Sequence, residues 1–139
     1  MKIGVSVFVV ATAVSLCFPG LAKPNLCPPP EAQRVEEAIQ QVETWPQFAT
    51  FYAQHGKCDV SALRYAFTQQ VAHLAANDLG LLGLSKMLAQ HPYLKPKILM
   101  HLKSETVPSE DRDKILRVTD ACQASQKSLC RDVKKILDP

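Results

Sequence analysis

His55, Cys58 and Asp59 fall within five positions, and this is the nearest the chain comes in sequence to a nucleophile with a base beside it. A thiol becomes a useful nucleophile when an imidazole or cation lowers its pKa, and a carboxylate can orient that imidazole. Each residue also has a structural use that competes: Cys58 as half of a disulfide, Asp59 as the N-cap of the helix that follows, and His55 at a helix C-terminus, where the dipole favours an imidazolium. The four histidines, His55, His73, His91 and His101, show neither H-x-x-x-H nor H-E-x-x-H spacing, so no metal set and no cofactor is expected. Ser85 has no nucleophile elbow around it, and Gly80 and Gly83 belong to a helical leucine pattern rather than to a phosphate loop. The residue types therefore point away from an enzyme.

The elements that would position these residues begin with an export signal over residues 1–22. Met1-Lys2 supplies a positive start, Ile3 to Phe18 is an uncharged apolar run, and Gly20-Leu21-Ala22 offers small residues for cleavage after Ala22. The run is 16 residues, short of the ~20 that span a bilayer. Leu16 is bulky where lipid attachment at Cys17 would need a small residue. The remainder holds four cysteines, Cys27, Cys58, Cys122 and Cys130. An even number in an exported chain reads as two disulfides, and the lack of C-x-x-C disfavours zinc or redox chemistry. The expected location is periplasmic or secreted, with no transmembrane segment left after cleavage.

Residues 23–30 contain three successive prolines and read as an extended N-terminal segment. From 31 to 139 the apolar periodicity is helical, as one all-α domain. The pattern predicts helices over roughly 31–43, 46–55, 60–76, 79–90, 92–103, 109–123 and 126–137, with Asp59 and Ser125 as caps. The helix over 79–90 is apolar nearly all round, as a helix buried in a core would be, and its two glycines suit close approach of a neighbouring backbone. Six to seven helices joined by short loops form either a compact bundle or a short helix-pair solenoid. A weak echo of Ala-Gln-His at 53–55 and 89–91 would suit the latter.

In an antiparallel hairpin, residues equidistant from the turn face each other. Cys122 and Cys130 flank position 126, and Cys27 and Cys58 bracket the first two helices. The favoured pairing is therefore 27–58 with 122–130.

Net charge is +3, too small to mark a nucleic-acid binder. Its distribution is uneven. Residues 23–43 carry two bases against four acids, 44–104 six against two, and 105–139 seven of each. Lys86, Lys95, Lys97, His101 and Lys103 concentrate the positive block on the fourth and fifth helices and read as a face for an acidic partner or an anionic envelope surface.

Tyr52, Gly56-Lys57-Cys58-Asp59 and the later Cys122 and Leu129-Cys130 resemble a pattern in an uncharacterised group of small exported α-helical proteins of Gram-negative bacteria. Stapled helical proteins of that compartment are similar in type to immunity proteins, which implies a protein partner such as a toxic effector. The expected function is thus a non-enzymatic binding protein that occludes a partner through a helical face. The alternative is a carrier, in which the leucines of the fourth helix line a cavity for a small apolar ligand.

Overall fold

A computed structural model describes residues 26–138. The export signal and Cys17 lie outside the described residues. Among them the chain forms seven α-helices: α1 Pro29–Ile39, α2 Trp45–His55, α3 Arg64–Ala76, α4 Gly80–Gln90, α5 Lys95–Leu102, α6 Ser109–Asp120 and α7 Lys127–Leu137. Short 3-10 turns at Gly56–Cys58, Pro92–Leu94 and Ala124–Gln126 lead out of α2 and into α5 and α7. None of these helices is long and apolar enough to cross a membrane.

Helix α1 starts inside the proline run, earlier than the segment 23–30 predicts. Pro28 is extended, while Pro29 and Pro30 occupy the first turn, where an amide hydrogen has no intrahelical partner to lose. Helix α2 starts at Thr44, whose hydroxyl accepts from the Gln47 amide while the Gln47 side chain accepts from the Glu43 amide. This is a capping box displaced by one residue. Trp45 stands in the first turn and donates Nε1–H to the Gly80 carbonyl at 2.7 Å, tying α2 to α4.

Helix α3 is the centre of the fold and packs against α1, α4, α5 and α6. Phe67, Thr68, Val71, Ala72, Leu74 and Ala75 are buried along it. Its many alanines leave little bulk between it and its neighbours, so helices close on it from several sides. Helix α4 is less enclosed than its composition predicts. It buries Leu81, Leu84 and Met87, whereas Leu79, just before it, is 71% exposed. Contacts such as α3 with α6 and α4 with α7 skip along the chain, which makes a bundle; in a solenoid each unit touches only its neighbours.

Both glycines of α4 sit at close approaches. A Cβ on Gly80 would strike the carbonyl oxygens of Leu74 and Ala75, and one on Gly83 would lie 3.0 Å from the Trp45 ring. The cysteines pair 27–58 and 122–130, with Cα atoms 5.0 and 6.5 Å apart. Both pairings read from the sequence are realised; α6 and α7 pack together as a hairpin across the second, whereas α1 packs on α3.

Two expected caps are not made. Helix α3 begins at Arg64, with no side-chain cap at its start. Residues 60–63 form a turn that leaves Val60 37% exposed and buries Leu63. Asp59 is drawn inward instead. Ser125 belongs to the 3-10 turn before α7, and Gln126 takes the cap position.

Candidate functional site

The residues singled out by chemistry separate into a buried cluster and an open cleft. The buried cluster holds His101, which the sequence placed on the basic face. The structure corrects this: His101 is 1% exposed. It follows Ile98 by three residues and adjoins Leu102, both on the inward stripe of α5, so the helical phase carries it into the core. Its Nε2 lies 3.0 Å from Asp59 Oδ2 and its Nδ1 3.0 Å from the Thr68 hydroxyl. Tyr52 donates its hydroxyl to the same Asp59 oxygen at 2.9 Å, and the Phe67 ring stacks against the imidazole. Four elements thus meet: α2 through Tyr52, the 59–63 turn through Asp59, α3 through Thr68 and α5 through His101.

Position 59 is held from both sides in the chain. The Asp59 amide donates to the Gly56 carbonyl, and Cys58 is fastened to Cys27. Burial pushes the Asp59 carboxyl up. The His101 hydrogen bond and charge, the Tyr52 hydroxyl and the Arg64 guanidinium together outweigh it and hold the group below the usual carboxylate range. Burial, then the hydrogen bond to Asp59 and its charge, push the Tyr52 phenol well above its ordinary value. Asp59 Oδ1 is buried with no hydrogen-bond partner among the described residues.

Thr68, His101 and Asp59 have the donor order of a nucleophilic triad. Thr68 is 0% exposed, however, and its hydroxyl faces packed side chains rather than solvent. The geometry makes it a polar clamp between α3, α5 and the turn after α2. The His55–Cys58–Asp59 grouping read from the sequence is not assembled. Cys58 is in its disulfide, Asp59 faces His101, and the His55 ring lies 4.8 Å from the Phe51 ring. Among the described residues, no three His, Cys, Asp or Glu side chains gather as a metal set.

The lysines divide. Lys86 and Lys97 are exposed and do not line the cleft into which Lys95 and Lys103 project. That cleft, about 800 Å³, lies between α5 and α7 and is completed by Arg112 at the start of α6. Lys95, Leu99 and Lys103 follow one another at intervals of four, forming one stripe along α5. Across from it stand Asp132, Lys135 and Ile136 of α7, with Glu105 on the connector. Lys95 pairs with Asp132 at 2.7 Å. Arg112 reaches the carbonyls of Leu137 and Ser104, each at 3.4 Å, and ties the start of α6 to the end of α7. Lys103 and Lys135 have no ion-pair partner among the described residues. Sequence reading missed Arg112 and Lys135 because their block is neutral overall. The helical phase of Leu99 and Ile136 beside lysines was the signal available.

Leu81 and Leu84 of α4 are packed into the common core with Phe48, Phe67 and Ile98. A second open cleft, about 470 Å³, runs beside α2 over Val42, Pro46 and Phe51. No family model matches the chain, and no curated protein or solved structure matches it.

Proposed function

We propose that this chain is an exported, periplasmic or secreted, non-enzymatic binding protein of the immunity or inhibitor type, which acts by occluding a partner protein. The observation that carries this reading is the α5–α7 cleft. Cations and apolar side chains converge there from three helices on a scaffold closed by two disulfides. Binding surfaces on helices hold their geometry with little ordering cost on association. The disulfides support an oxidising compartment, in line with the leader read from residues 1–22.

The test is retention from the native envelope. The oxidised protein, immobilised, is expected to hold one partner in stoichiometric amount and to lower that partner's activity. An extract that yields no retained protein, or one whose activity is unchanged by saturating amounts of this chain, overturns the reading.

A further inference from the structure

We infer that the α5–α7 cleft is the seat for an extended acidic segment of a polypeptide, in which an apolar side chain lies between two carboxylates. The inference rests on the binding-protein reading and narrows its partner. Lys95 opens α5 and Lys103 caps its C-terminus in helical conformation, eight residues later, about 12 Å along the helix axis. In an extended strand, residues i and i+4 are about 13 Å apart and share a face with i+2. A segment of the form acid-x-apolar-x-acid therefore matches the stripe Lys95, Leu99, Lys103 in spacing. One carboxylate would meet Lys103, and the other would exchange with Asp132 in its solvent-exposed pair with Lys95. The central side chain would rest on Leu99 and Ile136, which are half-buried and packed against the core.

Charge favours the same occupant. Of the cleft's lysines, Lys103 and Lys135 have no ion-pair partner among the described residues, and Arg112 adds a third positive group. The Asp132 and Glu105 carboxylates in the same walls would repel a dense phosphate backbone or an anionic lipid surface. Two sparse carboxylates meet that repulsion at one point only, beside Asp132 at Lys95, where the exposed ion pair can exchange partners. The apolar floor gives a polyphosphate nothing to bury.

The experiment is an NMR titration of the isotope-labelled oxidised protein with a capped peptide, Glu-Ser-Leu-Ser-Glu. Its comparators are Lys-Ser-Leu-Ser-Lys, Glu-Ser-Ser-Ser-Glu, phosphatidylglycerol vesicles and a DNA duplex. Amide shifts are expected around Leu99 and Ile136 with the first peptide, and about tenfold weaker binding for the double variant Lys103→Glu, Lys135→Glu. Both substituted lysines are exposed, and a thermal melt checks that the variant folds. Leu99→Ser is expected to weaken the leucine peptide and to leave the all-serine peptide nearly unchanged. An equal response to the basic peptide, shifts centred elsewhere, or tighter binding to vesicles or DNA overturns the inference. A native partner held with undiminished affinity by the double variant also overturns it, while leaving the binding-protein reading standing. Failure to find any native partner removes that reading, and the peptide titration still judges the cleft.

Discussion

Asp59 and His101 are 42 residues apart in sequence and 3.0 Å apart in space, and the buried carboxylate of this clamp should contribute to the chain's acid sensitivity. The folded-state pKa of Asp59 is lowered relative to the unfolded chain. Its contribution to stability is therefore fully present above the unfolded carboxylate value of about 4 and is lost as pH falls through the lowered folded value. Urea unfolding followed from neutral pH into acid should show this loss. Asp59→Asn should be less stable at neutral pH and should show a flatter acid limb; an acid limb as steep as in the parent would refute the assignment. His101→Ala removes one partner of a buried pair and leaves the carboxylate facing a void. A loss of about 3 kcal/mol or more is expected, read from denaturant midpoints. Thr68→Val keeps the volume but leaves His101 Nδ1 buried and unpaired, so it should cost about 1–3 kcal/mol.

Among the elements, α4 comes close to α3 at Gly80 and to Trp45 of α2 at Gly83. In an exposed helix interior Gly→Ala gains about 1 kcal/mol from backbone entropy. At Gly80 the added methyl meets the backbone carbonyls of Leu74 and Ala75, which cannot rotate away. Gly80→Ala should therefore lower stability, by roughly 1–3 kcal/mol as overpacking does. It should also loosen the Trp45 bond to the Gly80 carbonyl, visible as a change in tryptophan fluorescence. Gly83→Ala meets only the edge of the Trp45 ring and should cost less. If Gly80→Ala raised the melting temperature, the close approach would be wrong. Helical phase was legible here and burial was not. The leucine-rich α4 looked central, yet α3 holds that position because alanine lets backbones come together and carries too little apolar contrast to announce a face.

Across the whole molecule the two disulfides staple different parts. The bond between Cys27 and Cys58 closes a separation of 31 residues, and that between Cys122 and Cys130 one of 8. Loop-closure entropy assigns about 3–4 kcal/mol to the first and about 2.5 to the second. Replacing Cys27 and Cys58 together by serine should depress the melting temperature more than replacing the other pair, and beyond the loop contribution, because Cys58 anchors the backbone beside Asp59. Equal depressions would show that Asp59 is positioned without the disulfide.

Helix formation and the symmetry of the α6–α7 hairpin about its turn are local properties, so the all-α class, five of the seven helices to within three residues at each end and the pairing of the cysteines could be read from the order of residues alone. Helix α1, by contrast, begins inside the proline run and ends four residues early. The start of α3 could not be read, because Asp59 has two competing uses. A cap is one hydrogen bond at the surface, whereas the core offers a histidine and a tyrosine from elements distant in sequence. The cleft was half legible for the same reason. Lys95 and Lys103 share a local stripe, but Arg112 and Lys135 join them only through the packing of α6 and α7, and charge counted along a chain carries no information about which helices come to lie side by side.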